Sequence, residues 1–151
     1  MPVTARTISF NAPYEAQWSG VTSLREASLW LLTALRKIAE LAKLQENWDS
    51  YGSRPIQGAA IERTIELLRE LSKFDLPLPQ IFPVPGGGIQ LEWQNAKCEL
   101  EIEVRSDGSV EFLIVDEEGK MREGPITPDT LTEIYRLAHW FKREQSSVVY
   151  L

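Results

Sequence analysis

The sequence contains few of the residues from which metal and redox sites are built. Of its 151 residues, one is a cysteine, Cys98, and one is a histidine, His139. A single cysteine excludes an intrachain disulfide and a cysteine-based zinc cluster, and a single histidine excludes any site that needs two imidazoles. The alternating neighbours of Cys98 predict a buried, unreactive thiol. The position of His139 beside Trp140 on an amphipathic pattern is more typical of a helix surface than of a general base.

Long apolar runs and an excess of positive charge are missing too. The most apolar stretch, residues 27–35, is interrupted by Ser28 and Thr33 and falls far short of the roughly 20 residues that span a bilayer. Because no apolar stretch of signal-peptide length follows the N-terminus, we expect a cytoplasmic protein with no membrane partner. Twenty-two acidic residues against sixteen basic ones give a net charge of −6, which repels nucleic-acid phosphates. Nucleic acid would become a partner only through a basic stripe on the first predicted helix, made of Arg25, Arg36, Lys37 and Lys43.

The composition does provide enough apolar residues for a core. Hydrophobic residues make up 43% of the chain and charged residues 25%, which suits one folded domain of ordinary size. Glycine and proline, nine of each, are near background usage, and no internal repeat of about 20 to 50 residues is present. We predict a single domain over residues 23–145, an N-terminal arm or edge strand over residues 1–22, and a C-terminal tail or edge strand over residues 146–151.

Three segments have the apolar period of an amphipathic helix. The first begins at the capping box Ser23-Leu24-Arg25-Glu26 and runs to about Leu44. After a connector over residues 45–55, the second helix is predicted over residues 57–71. The third starts near Thr127, an N-cap residue that precedes a proline at the first helical position, and continues to about Arg143.

Residues 77–124 predict strands rather than helices. Prolines at positions 77, 79, 83 and 85 favour extended chain, and apolar residues then alternate with polar ones in three runs, 89–94, 98–104 and 110–114. A weaker strand is expected near residues 120–124. The three-residue loop 106–108, with Gly108 in the left-handed position, aligns the second and third runs as an antiparallel hairpin. This register sets Val104 opposite Val110, Ile102 opposite Phe112 and Glu103 opposite Glu111.

Together these segments predict an α+β fold. Two N-terminal helices precede an antiparallel β-meander of three to five strands, and the C-terminal helix packs on the apolar face of the sheet. That face is expected to carry the following side chains: Ile89, Leu91, Trp93, Leu100, Ile102, Val104 and Phe112. The glutamates that alternate with them then face water.

The glutamates on the polar face form the first candidate site. Five of them are predicted to project to the same side: Glu92, Glu99, Glu101, Glu103 and Glu111. Because any one-sided sheet shows alternating polar residues, the favoured interpretation is a solvated face that discourages aggregation. Two alternatives stay open. One is recognition of a basic partner by charge complementarity, and the other is a divalent-cation site built from Glu101, Glu103 and Glu111.

The connector Asn47-Trp48-Asp49-Ser50-Tyr51-Gly52 is the second candidate site, because two large aromatic residues in a polar loop need either a core pocket or a partner. In the favoured interpretation Trp48 and Tyr51 tuck under the loop, Asp49 accepts hydrogen bonds from local amides, and Gly52 adopts a positive φ. In the alternative, Trp48, Asp49 and Tyr51 form a partner-binding surface, since tryptophan and tyrosine are enriched in binding hot spots.

Two motifs carry a resemblance to other proteins. They are the connector motif followed by Pro55, and Gly87-Gly88-Ile89-Gln90-Leu91-Glu92-Trp93, which precedes the acidic strand Leu100-Glu101-Ile102-Glu103. In this combination the chain resembles a family of small uncharacterised bacterial proteins, over about residues 40–115. The resemblance implies a bacterial, cytoplasmic source, and it implies no reaction, cofactor or catalytic residue.

No catalytic set emerges from these residues, and no cofactor is implied. We therefore expect a non-enzymatic protein that binds another protein, or a second copy of itself, as an accessory or neutralising, antitoxin-like subunit. Strand edges and the connector aromatics are the expected contacts. The alternative is a metal-dependent hydrolase that uses the acidic face with His139 or Tyr51 nearby.

Overall fold

The structure is a computed structural model that describes residues 19–127 and 131–146. These residues form three helices and five strands, in the order α1 (Ser19–Leu41), α2 (Gly58–Leu71), β1 (Gln80–Val84), β2 (Gly88–Gln94), β3 (Glu99–Val104), β4 (Val110–Val115), β5 (Met121–Ile126) and α3 (Leu131–Ser146). The predicted α+β fold with an antiparallel sheet is confirmed. Of the arm predicted over residues 1–22 and the tail predicted over residues 146–151, residues 1–18 and 147–151 lie outside the described residues, and so does the proline predicted at the start of the third helix.

Helix α1 begins and ends earlier than its sequence pattern predicted. It begins at Ser19, so the predicted start at Ser23 is wrong and residues 19–22 are helical. A capping box stabilises a helix start, but it does not prevent a further turn in front of it when that turn contains no proline. The helix ends at Leu41, because the amides of residues 43 and 44 each donate to the carbonyl three residues earlier, at 3.1 Å. Such tight bonds close a helix terminus.

The five strands form one meander in the order β1-β2-β3-β4-β5, and each strand pairs with its sequence neighbours. The predicted register of the hairpin between β3 and β4 is confirmed, with Glu103 opposite Glu111. Gly108 in its loop has a φ of 88°, as the predicted left-handed position requires. The weak strand expected near residues 120–124 is β5.

Strand β1 forms within the proline-bounded segment of residues 77–85. It pairs with β2 alone, so it is one of the two outer strands of the described sheet, and it contains Pro83. An outer strand tolerates proline because the amide that proline lacks would face away from the sheet.

One face of the sheet and one face of each helix share a core. All seven apolar side chains predicted for that face are buried, with exposed fractions of at most 5%. They lie in one cluster with buried residues of the helices, among them Ile38 of α1, Leu67 of α2 and Phe141 of α3. Because alternate residues of a strand point to opposite sides, the three helices cover the same face. Each fully buried large apolar side chain in this core contributes about 1.5–3 kcal/mol.

Cys98 lies in this core, as its alternating neighbours predicted. Its exposed fraction is 3%, and burial raises the pKa of its thiol above the ordinary value, which keeps the group protonated and inert.

The other face of the sheet has no helix on it within the described residues. We call this side the open face. Over β2 to β5 the side chains that point to it are half-buried or exposed, and they are Gln90, Glu92, Gln94, Glu99, Glu101, Glu103, Glu111, Leu113, Val115, Met121, Glu123 and Pro125.

Candidate interaction surfaces

Residues 47–53, which we call the tyrosine loop, are closed by hydrogen bonds between their two ends. The Asn47 amide donates to the Ser53 carbonyl at 2.7 Å, and the Asn47 side-chain Oδ1 accepts from the Gly52 amide at 2.7 Å. Asn47 and Ser50 adopt left-handed φ values of 64° and 67°, which side chains other than glycine rarely take. The backbone of the loop is therefore fixed in one tight conformation by its own polar groups.

Asp49 fills the inside of the tyrosine loop, as predicted. Its Oδ1 accepts hydrogen bonds from the amides of Tyr51 at 2.9 Å and Ser53 at 3.2 Å, and its Oδ2 accepts from the Ser53 hydroxyl. The Ser53 hydroxyl, followed by these amides, lowers the pKa of Asp49 below its ordinary value. The Asp49 carboxylate thus makes its hydrogen bonds within the loop.

The two aromatic residues of the loop differ in their environments. Trp48 is half-buried, and its indole Nε1 donates to the Arg54 carbonyl at 2.9 Å. Tyr51 is 91% exposed, so the prediction that it tucks under the loop is wrong. The turn is completed by the hydrogen bonds of Asp49 and by Gly52, with a φ of 86°, and these bonds use the backbone of Tyr51 and not its ring.

The segment after the tyrosine loop is anchored to the turn between β1 and β2. The Arg54 Nη2 donates to the Gly86 carbonyl at 2.9 Å, and the Gln57 amide donates to the Gly87 carbonyl at 3.0 Å. A Cβ atom at Gly87 would lie 2.9 Å from the Gln57 side chain and 3.0 Å from the Pro55 carbonyl oxygen. The connector motif with Pro55 and the glycine motif that begins at Gly87 are therefore in direct contact.

The open face presents a cluster of glutamates at its centre. Glu101 lies opposite Glu92 on β2, and Glu103 lies opposite Glu111 on β4. Glu111 is neutralised by Arg105, whose Nη2 lies 2.6 Å from Oε2 of the carboxylate. Among the described residues, neither Glu101 nor Glu103 has an ion pair.

Glu101 is the glutamate most strongly affected by this arrangement. Partial burial raises its pKa above the ordinary value, and the charges of Glu92, Glu99 and Glu103 raise it further. Like charges directly opposite each other on a sheet destabilise the fold. The free protein therefore carries an unfavourable electrostatic term at the centre of the open face.

The hydrolase alternative needs a metal site on this face and a histidine or tyrosine beside it. Across the described residues, no group of three or more His, Cys, Asp or Glu side chains is arranged to hold a metal ion. His139 is exposed on α3, where its ring meets Phe74 edge-on at 5.7 Å. Since α3 packs on the apolar face, the sheet separates His139 from Glu101 and Glu103, and the expectation that His139 lies near them is wrong.

The apolar part of the open face was not predicted from the sequence. Leu113 lies opposite Glu101, and Val115 pairs with Met121, whose side chain is 63% exposed. The alternation of β4 contained the signal, because Leu113 and Val115 fall between core residues. The short, weakly patterned β5 gave no sign that Met121 would join them.

Comparison with models of known protein families, with curated proteins and with solved structures returned no match. In the described part of the chain, no helix combines the length and the apolar character that crossing a membrane requires.

Proposed function

We propose that this protein is a non-enzymatic interaction domain that binds another protein through Tyr51. One observation carries the proposal: the Tyr51 side chain is 91% exposed on a loop whose polar groups bond to one another. A large aromatic side chain on a fixed backbone loses little conformational entropy when a partner covers it. Such residues are enriched among binding hot spots.

The three residues assigned to this surface then have different roles. Tyr51 contacts the partner. Asp49 holds the backbone amide of Tyr51 in place, and Trp48 anchors the loop to Arg54. The anchoring of Arg54 to Gly86 extends this support to the sheet, so the tyrosine is presented by the rigid part of the fold. A small acidic domain of this kind suits an accessory subunit of a bacterial complex, or a subunit that neutralises another protein.

A photo-crosslinking amino acid at position 51 tests the proposal in extract from the source organism. The matched control carries the same amino acid at Tyr135, an exposed tyrosine on α3 that is 37% exposed and packs against Phe74. We expect one stoichiometric protein to crosslink through position 51 and not through position 135. The absence of any stoichiometric product at position 51 would contradict the proposal.

The affinity of the captured protein for variants distinguishes the residue that contacts the partner from the residue that positions Tyr51. Tyr51→Ala should weaken binding about 30-fold, as expected for a hot spot of ~2 kcal/mol, and should leave the melting temperature unchanged because the side chain is exposed. Asp49→Ala should weaken binding less and should speed amide exchange at Tyr51 and Ser53, which lose their acceptor. Equal affinity of the wild type and Tyr51→Ala would refute the assignment.

A further inference from the structure

The open face has an acidic half and a more apolar half, which lie side by side. The acidic half follows β2 and β3. The apolar half lies on β4 and β5, where Leu113, Val115 and Met121 point outward together with two glutamates, Glu111 and Glu123. From these observations we infer that the open face is a second binding surface, whose occupant is a basic amphipathic helix of another protein. This inference does not rest on Tyr51.

Charge complementarity defines the chemistry of the occupant. Glu92, Glu101 and Glu103 have no ion pair with a cationic side chain among the described residues, and the charges of Glu92 and Glu103 make ionisation of Glu101 less favourable. Lysine or arginine side chains of a partner that lie along β3 would offset the repulsion between these glutamates. The repulsion in the free protein therefore favours the bound state. A second copy of this chain fits poorly, because two acidic faces repel each other.

The apolar half explains why the occupant is a protein helix and not a free cation. Met121 on β5 is 63% exposed and lies opposite Val115 on β4, and Leu113 is two residues from Val115 on the same strand, so the three form an apolar patch beside the glutamates of β3. A helix whose basic stripe borders its apolar stripe contacts the patch and the glutamates at once. The sheet already accepts three helices on its other side, so a fourth on this side completes a layered α/β/α arrangement.

The dimensions of the face agree with one helix. Four strands spaced by about 4.8 Å span roughly 14 Å, close to the ~10–12 Å diameter of a helix with its side chains. Strands of six residues are about 20 Å long, which corresponds to roughly 13 helical residues at about 1.5 Å each.

Fluorescence anisotropy with the full chain tests this inference. The probe is a labelled 14-residue helical peptide with lysines on one stripe and leucines on the adjacent stripe, and the control peptide has glutamate in place of each lysine. We expect the lysine peptide to bind with an affinity that falls as salt rises, and the glutamate peptide not to bind. Failure of the lysine peptide to bind, or equal binding of both peptides, overturns the inference.

Two double variants with the same change in net charge locate the binding site. Glu101→Gln with Glu103→Gln removes two charges from the open face, and Glu46→Gln with Glu118→Gln removes two exposed charges elsewhere, each changing the net charge from −6 to −4. The first pair should weaken binding about tenfold, at roughly 0.7 kcal/mol for each lost ion pair, and the second less than about twofold. Equal weakening by both pairs would reveal attraction to the whole charged protein and overturn the inference.

Two single variants separate this surface from the tyrosine loop. Met121→Ser should weaken the peptide about threefold through the lost apolar contact, and Tyr51→Ala should leave its affinity unchanged. Should Tyr51→Ala weaken the peptide as much as Glu101→Gln with Glu103→Gln does, the claim of a second surface is wrong. Melting curves of the glutamate pair confirm that loss of binding is not loss of fold, since removing repulsion should keep or raise the melting temperature.

Discussion

Replacement of Gly88 by alanine is expected to destabilise the fold more than replacement of Gly86, two residues earlier. Gly88 is the first residue of β2 and lies beside β3. A Cβ atom there would lie 2.5 Å from the carbonyl oxygen of Val104 and 3.3 Å from the Cα of Arg105. Both are backbone atoms, and pairing of β3 with β2 and β4 holds them in place.

The magnitude follows from the overlap. A carbon and an oxygen that are not bonded need about 3.2 Å, so the strands must separate by roughly 0.7 Å at this point or the hairpin must twist. Overpacking of this kind costs about 1–3 kcal/mol, and we expect about 2–3 kcal/mol because no flexible side chain can move aside. For a chain of this size the loss corresponds to about 5–10 °C in melting temperature.

Urea unfolding followed by tryptophan fluorescence measures this loss, with Trp93 as a buried reporter that is 2% exposed. Two control variants isolate the steric effect. A Cβ atom at Gly86 would meet no atom within 4 Å, but the φ of this residue is 96°, so Gly86→Ala should destabilise the fold by only about 1 kcal/mol through backbone strain. Gly58→Ala, which also meets no atom within 4 Å and lies in the first turn of α2, should stabilise by about 0.5 kcal/mol. The reasoning is refuted if Gly88→Ala is as stable as Gly86→Ala.

Two further predictions concern single side chains. Because the folded pKa of Glu101 is raised above its ordinary value of 4.5, the fold disfavours the ionised form, and stability falls as pH rises through the range just above 4.5. Glu101→Gln should therefore melt higher than the wild type at pH 7, and the gap should close near pH 4; a gap independent of pH would contradict the electrostatic explanation. Cys98 should react with a thiol reagent only as fast as the protein unfolds, and at once in concentrated urea, because its side chain is 3% exposed. Rapid labelling of the native protein would show that the thiol is accessible.

Local patterns were sufficient to predict the hairpin formed by β3 and β4. The alternation of residues 98–104 and 110–114, joined by a loop of odd length, determined both the register and the side to which Glu103 and Glu111 point. A register shifted by one residue would have pointed the Phe112 side chain into solvent, so the pattern was compatible with only one register. The same local reasoning misplaced the start of α1, because a capping box does not exclude an additional turn.

The environment of Tyr51 could not be predicted from local patterns. The loop that carries it is held by the bond of Asp49 to the Tyr51 amide, and the segment after the loop by the bond of Arg54 to Gly86, which is 32 residues away in the chain. Likewise, Met121 joins the open face only because β5 pairs with β4 in one particular register. Contacts between residues distant in sequence leave little trace in composition or periodicity.

The contact between the two motifs makes the residue types of one depend on those of the other. The connector supplies Pro55 and Gln57, and the turn supplies Gly87, where a side chain would collide with both. A bulky residue at position 87 would push the connector away and release the support that Arg54 gives to the tyrosine loop. The motifs thus describe one structural unit formed from two separate segments.

The prolines around β1 also affect how the sheet behaves towards other chains. In an outer strand alternate amides point away from the sheet, and Pro83 is tolerated where its missing N–H would do so. Of the odd positions from 77 to 85, only Ile81 therefore offers a donor, since the others are prolines. An incoming strand would find carbonyl acceptors but almost no amide donors along this margin, so β1 is a poor template for fibril growth or for capture of a foreign strand.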